Sequence, residues 1–534
     1  MRQSRTHTAP GSKNSKTLGA AWIGLLLCLA ILAALTGDSK AQNGPTMDRL
    51  ERAAQMIRKG QLAMAEAELN AVFKRAPREA NALNLLGVVR AQQHRAAEAE
   101  QLFIRAIEIN KSLLGAYLNI GQLYLDLEKP DRALWAFTEA HKLQPENPVL
   151  NFNLASLYEQ KKEYDRALEY LSQIPLAQRD SDGLFLLIKS HLALNHVQEA
   201  EALSAPFKES SRVSPDMAAA LAAVFAEHGL FDEAIEILEA ARRRSGPSFV
   251  LLYNLGTSFY QKGELQRAEE SYLAALSLKP DDVPTLRALA NIARADGELE
   301  KALSYLVRAR KVAPDSPAVL YDFGWTALNM NLLYDALSAL ERLDRMKAVA
   351  PDYLYPLAIA RLNNGESAQA QGLINRYIES RPKDARGYYV LGAILYGAKR
   401  FPEARSALQR SLALAYYPDS EYYLGMIAHN EGDEEQAISW FRRALSSDPS
   451  NSATHTALGT ALARKKDYQE ARAELERAIK LDPKDQTAHY QLGMIYVRLG
   501  DKERSRAMFA ISEKLRSEQK DRQGIGVRLI EPAK

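Results

Sequence analysis

From Thr46 onward, large apolar and small residues return in a fixed frame of 34 residues. Within that frame, positions 4, 7, 8 and 11 are apolar or small, a spacing of i, i+3, i+4, i+7 that lines one face of an α-helix. Positions 20, 24 and 27 do the same for a second helix. The clearest marker is alanine at position 20: Ala65, Ala99, Ala133, Ala167, Ala200, Ala234, Ala268, Ala302, Ala336, Ala370, Ala404, Ala437 and Ala471 lie 34 residues apart, with two steps of 33, and Ser505 takes the next slot. Small residues at positions 8 and 20 let the two helices approach closely. Glycine recurs at position 15, as at Gly60, Gly263 and Gly432, where a left-handed residue ends the first helix. Proline followed by Asp or Asn, as at Pro280-Asp281 and Pro449-Ser450-Asn451, stops the second helix and caps the next. The pattern predicts fourteen helical hairpins, about 28 helices between residues 46 and 517, and no β-sheet.

A hairpin of this length cannot bury its own apolar face. It buries it against the next, so the fold class is all-α, an α-solenoid with a continuous core. The third repeat reads Tyr117, Gly121, Tyr124, Ala133, Phe137, Ala140, Pro145; the seventh Leu255, Gly256, Phe259, Gly263, Ala268, Tyr272, Ala275, Pro280; the twelfth Leu424, Gly425, Gly432, Ala437, Phe441, Ala444, Pro449. This frame resembles the tetratricopeptide repeat (TPR). The resemblance implies a right-handed superhelix of stacked hairpins whose first helices line an inner groove.

Two places depart from the frame. The fifth repeat has Ile188 where glycine is expected, and Pro206 falls inside its second helix. The segment 204–215 is therefore expected to bend or break the array, giving one part over 46–204 and another over 215–517. In the last repeat Ser505, Ser512 and Ser517 replace Ala, Ala and Pro, which reads as a polar cap on an uncovered end. Residues 518–534 are expected to form a flexible tail.

The chain before the repeats has a different character. Residues 1–16 are polar and basic, and Thr17–Gly37 carries no charge over 21 residues. Ser39-Lys40-Ala41 offers a small-x-small cleavage site, so residues 1–41 read as a signal peptide or a retained signal anchor. Either places the repeats outside the cytoplasm, periplasmic, secreted or membrane-anchored, because the positive charges precede the apolar stretch. The first 41 residues hold Arg2, Arg5, Lys13, Lys16 and Lys40 against Asp38, so the overall charge of +3 becomes −1 for the body. A neutral body argues against a nucleic-acid partner. The Arg242-Arg243-Arg244 run lies at a helix end and reads as a solvated terminus. Cys28 is the only cysteine, so the body has no thiol nucleophile, disulfide or cysteine metal site.

No phosphate loop, His-Glu-x-x-His motif or triad-like grouping occurs, and no catalytic residue, metal or cofactor is expected. The chemistry left is a surface. On the resemblance, positions 2, 5, 6, 9, 12 and 13 of each first helix face the groove. Position 5 is aromatic at Phe152, Tyr253, Tyr321, Tyr355, Tyr389, Tyr422 and Tyr490, and position 6 is asparagine at Asn119, Asn153 and Asn254. Asp322, Trp325 and Asn363 lie beside the tyrosines of consecutive repeats. Tyrosine gives rigid contact area and asparagine pairs with a peptide backbone, so these residues are candidates for a protein-binding groove. They serve equally as packing groups between first helices. The carboxylate clamp of co-chaperones is absent: Arg287 and Asn291 are followed by Asp322, Asp352 and Pro356. Two functions suit the pattern. One is a non-catalytic scaffold holding protein segments, in an envelope-assembly, secretion or export complex. The other is the substrate-recruiting or regulatory subunit of a separate enzyme, such as a glycosyltransferase.

Overall fold

A computed structural model describes residues 45–175, 178–209, 213–346 and 350–518. The export segment and the C-terminal tail lie outside these residues. Among the described residues the chain is helical, with a short 3-10 turn at Pro351–Tyr353 and no strand. Successive helices pair as hairpins, and each hairpin packs on the next within its unit. No described helix is long and apolar enough to cross a membrane. Contacts divide the chain into two compact units, one ending at Gly263 and one starting at Glu264. The division does not fall at 204–215.

The hairpin geometry follows from residue size. All thirteen alanines at position 20 are fully buried, at 0% exposure. The small residue at position 8 is required by a large one at position 24. A Cβ added to Gly87 would sit 2.5 Å from the Phe103 ring, and one on Gly392 would sit 2.5 Å from Leu408 Cγ. The fifth repeat reverses these sizes: Ile188 stands at position 8 and Ser204 at position 24, both buried. Ala302, in helix Leu299–Val312, should therefore not tolerate a larger side chain. Ala302→Leu should cost roughly 1–3 kcal/mol by overpacking against helix Val283–Ala295. Urea melts in which it matches the surface variant Glu300→Gln would remove this account of the close approach.

The turn between paired helices is the same in every repeat, whatever residue occupies it. Position 15 has positive φ at Gly60 (72°), Gly229 (78°) and Gly432 (88°), but also at His94 (59°), Glu128 (56°) and Lys466 (69°). Packing of the two helices imposes the left-handed residue even where side-chain sterics oppose it.

The irregular fifth repeat is held by polar bonds. Its second helix runs Val197–Ala202, stops, and resumes as Ala205–Glu209. Lys208 Nζ bonds Glu233 and Glu236 of helix Phe231–Ser245, at 2.8 and 2.7 Å. Arg244 donates to the carbonyls of Phe207 and Lys208. The guanidinium thus caps the end of the short helix. Arg244 was expected in solvent with its two neighbours; instead it is half-buried on acceptors 36 and 37 residues away.

The end of the array also differs from expectation. Ser505 and Ser512 are 4% and 3% exposed, so they are not an outer polar surface. They replace alanine by size, and Ser512 Oγ accepts from Gln486 Nε2 at 2.7 Å. The uncovered end carries apolar groups instead: Tyr490, Met494, Val497 and Ile511 are exposed.

Candidate functional site

In the unit ending at Gly263, the asparagines do not form one open row. Asn119 Nδ2 donates to Asn84 Oδ1 at 2.9 Å, joining the first helices of the second and third repeats. Both are buried, and the bond satisfies a donor of Asn119 and the acceptor of Asn84. Asn84 stands at position 5, outside the asparagine positions expected from spacing. Phe152 and Asn153 are half-buried on helix Pro148–Gln160. Asn254 Nδ2 turns back to the Val250 carbonyl at 2.8 Å, while the Tyr253 ring stacks on Phe249 at 5.9 Å.

In the unit starting at Glu264, the predicted tyrosine stripe exists but runs inside the packing. Tyr321 is half-buried, with its ring 5.8 Å from Trp325. Trp325 lies 6.1 Å from Tyr355, and Tyr355 lies 5.6 Å from Tyr377. Trp325, Tyr355 and Tyr389 are each only 1% exposed. Of the two roles the sequence leaves open to them, groove contact or packing, this burial fits packing. Positions 5 and 9 fall where neighbouring first helices meet, and a bulky ring fills that gap. Tyr389 meets Tyr423 at 6.1 Å, and Tyr422 lies between Tyr423 and Phe441. Burial, with the Asp352 charge second, pushes the Tyr321 hydroxyl up to about 12. Burial does the same to Tyr422, also to about 12. Tyr490 is 46% exposed, on the last first helix.

The aspartates Asp322, Asp352 and Asp384 of this region are each paired with an arginine of the same unit. Asp322 is buried, and Arg287 Nε donates to its Oδ2 at 2.6 Å. Asp352 accepts from Arg381 Nη2 at 2.9 Å. Asp384 accepts from Arg386 Nε at 3.0 Å and Nη2 at 2.6 Å, and from the Tyr377 hydroxyl at 2.6 Å. Burial works against the Asp384 carboxylate, yet bonds from Arg386 and Tyr377 hold its carboxyl below the usual value. Burial likewise drives the Tyr377 hydroxyl far above the usual tyrosine range, and Asp384 adds to it. Arg386 also places its guanidinium carbon 5.0 Å from the Tyr355 ring centre. Sequence reasoning missed this Tyr377–Asp384–Arg386 cluster. Its one signal was Tyr377 at position 27, where the frame asks for alanine.

Uncharged polar groups also lie along these first helices. Asn291 accepts from Arg294 at 3.2 Å and is half-buried. Asn363 is half-buried, with an Oδ1 that has no hydrogen-bond partner. The described residues contain no group of three His, Cys, Asp or Glu placed to hold a metal. The two histidines nearest in sequence, His191 and His196, have ring centres 5.7 Å apart, and burial pushes the His191 imidazole below its usual value.

Comparison with known families matches tetratricopeptide repeat models to residues 57–112, 124–185, 219–283, 355–418, 422–451 and 461–500. Among curated proteins, human Protein O-mannosyl-transferase TMTC3 is 36% identical over 87 residues, covering 16% of this chain and 10% of that protein. Cellulose synthase operon protein C of Pseudomonas fluorescens (strain SBW25) is 24% identical over 282 residues, 49% of this chain and 20% of that protein. The chain thus spans a tenth to a fifth of the length of these relatives. The solved APC/C hetero-tetramer Cut9-Hcn1 aligns at 17% identity and a TM-score of 0.43, covering 82% of this chain and 94% of that one.

Proposed function

Because the chain belongs to the tetratricopeptide repeat family, we propose that it is a non-catalytic scaffold that holds an extended protein segment along its first helices. The observation that carries this reading is the internal pairing of Asp322, Asp352 and Asp384 with arginines. It leaves amides and hydroxyls, at Asn291, Asn363 and Tyr321, over a rigid aromatic floor. Such groups pair with a peptide backbone without selecting for charge.

The test is binding of a panel of unstructured peptides by fluorescence anisotropy. Asn291→Ala with Tyr321→Ala should weaken the best peptide by about 1–2 kcal/mol. Affinity should change little with ionic strength, since the aspartates and arginines are already paired. A steep salt dependence, or unchanged affinity in a variant that keeps its melting temperature, would sink the reading.

We place the repeats outside the cytoplasm on the uncharged stretch Thr17–Gly37 behind a basic N-terminus. A second reading, a recruiting subunit for a separate glycosyltransferase, draws support from the likeness to parts of an O-mannosyl-transferase and of a cellulose synthase operon protein. Co-purification with a membrane glycosyltransferase, and glycan transfer that fails without this chain, would favour the second reading over the first.

A further inference from the structure

Second helices of successive repeats leave a furrow between them, and the furrow of the eighth and ninth repeats differs in kind from the same furrow four repeats on. Helix Leu299–Val312 and helix Leu333–Arg345 both pack on helix Pro317–Asn329, which lies beneath. The cleft between them is about 420 Å³ in volume. Its floor is apolar, with Leu320 and Ala339 each 2% exposed, and Val307 stands on its wall at 50% exposure. Arg310, Lys311 and Arg342 line it as well. Arg342 is bonded to Asp315. Arg310 is fixed by stacking, its guanidinium carbon 4.2 Å from the ring centre of Phe323. Among the described residues, neither Arg310 nor Lys311 has a carboxylate within ion-pair distance. Val307, Arg310 and Lys311 lie at i, i+3 and i+4, so they share one helix face.

The furrow of the twelfth and thirteenth repeats, at the same frame positions, shows the opposite arrangement. There Arg442 replaces Val307, Leu445 and Ser446 replace Arg310 and Lys311, and the floor is His455 and Glu474. Its cations meet carboxylates of the protein itself. Arg442 Nη2 lies 2.5 Å from Glu470, Arg477 Nη1 lies 3.1 Å from Glu474, and His455 Nδ1 lies 2.6 Å from Glu474. In the eighth and ninth repeats the floor and wall are apolar instead, and the two cations beside them are left for an outside partner. Such a site selects an occupant that brings a carboxylate and an apolar group together. We propose that this furrow is a second docking site, for a protein segment in which a large apolar side chain is flanked by acidic ones. The apolar side chain covers Leu320 and Ala339, and the carboxylates bond Arg310 and Lys311. Arg310 presents a planar fork already ordered by Phe323, which lowers the entropy lost on pairing. The site stands on second helices and is independent of the groove along the first helices, from which its response to salt distinguishes it.

The experiment measures binding of a labelled peptide of repeating glutamate–glutamate–leucine to the full chain by fluorescence anisotropy. Affinity should fall about tenfold or more between about 0.05 and 0.5 M salt. Val307→Ser with Lys311→Glu changes only exposed side chains, and should weaken binding about tenfold or more at an unchanged melting temperature. Ser338→Trp, which fills the furrow from its other helix, should do the same. A glutamate–glutamate–serine peptide, lacking the apolar group, should bind about tenfold more weakly. Asn291→Ala with Tyr321→Ala should leave the affinity unchanged. Binding that survives both furrow variants, or equal affinity for the two peptides, would overturn the proposal. So would loss of binding in Asn291→Ala with Tyr321→Ala, which would assign the peptide to the groove. Capture of the chain by phosphatidylglycerol vesicles, lost in Val307→Ser with Lys311→Glu while the peptide fails to bind, would assign the furrow to a membrane surface and overturn it too.

Discussion

Tyr355→Ala is expected to lower stability by about 3–5 kcal/mol, the range for removing a large aromatic from a core. Tyr355 is 1% exposed and forms the middle of a chain of rings, Tyr321–Trp325–Tyr355–Tyr377, that joins two successive repeats. Truncation would leave a cavity between helix Pro317–Asn329 and helix Leu354–Asn363, and would remove the face over which Arg386 sits. Loss of that cation–π contact adds up to about 2 kcal/mol at a desolvated site. Because contacts in an array run between neighbours, the damage should be local. Amide exchange should rise most in the helices Pro317–Asn329, Leu354–Asn363 and Ala385–Gly397, and much less in Ser452–Arg464. Tyr355→Phe, which keeps the ring, should recover most of the loss. If Tyr355→Ala kept its urea midpoint, the ring could not be a packing group, and the stripe would return to the binding surface.

This outcome shows where the sequence speaks and where it is silent. The alanine at position 20 and the small residue at position 8 state their own role, since no larger group fits between paired helices. The left-handed turn was visible at Gly60 and Gly432 but not at His94 or Lys466, because residue identity reports a preference and the packed helices impose the conformation. The tyrosines were legible as a stripe. Their burial was not, because the surface covering position 5 of one repeat arrives from the next repeat, and spacing alone does not separate groove from interface. Ser505 and Ser512 were misread because polarity was weighed above volume; at a close approach the hydroxyl is small enough to substitute for alanine. Arg244 was misread for a similar reason. Its acceptors lie 36 and 37 residues away, beyond any local pattern.

Asp384→Asn should cost about 3 kcal/mol, the scale for leaving a buried charge without its partner. Asp384 and Arg386 are a close pair, with side chains 21% and 12% exposed and an N–O distance of 2.6 Å. Asparagine keeps the shape and one acceptor, but Arg386 would hold its charge against the Tyr377 hydroxyl and the Tyr355 ring alone. The double variant Asp384→Asn with Arg386→Met removes the stranded charge. It should recover to within about 1 kcal/mol of the wild type, since a buried pair is often matched by an apolar replacement. The pH dependence carries a sign of its own. The Asp384 carboxyl lies below its ordinary value of 3.8 in the folded protein, so near that pH the unfolded chain binds more protons than the folded one. Stability from this group is therefore complete above the unfolded value and is lost as pH falls through the folded one. Wild type should weaken on acidification below about pH 4, and Asp384→Asn, having no carboxyl there, should show a shallower decline. Parallel acid profiles for the two proteins, together with a single-variant loss below about 0.5 kcal/mol, would mean that the Tyr377–Asp384–Arg386 cluster is solvated and holds nothing together.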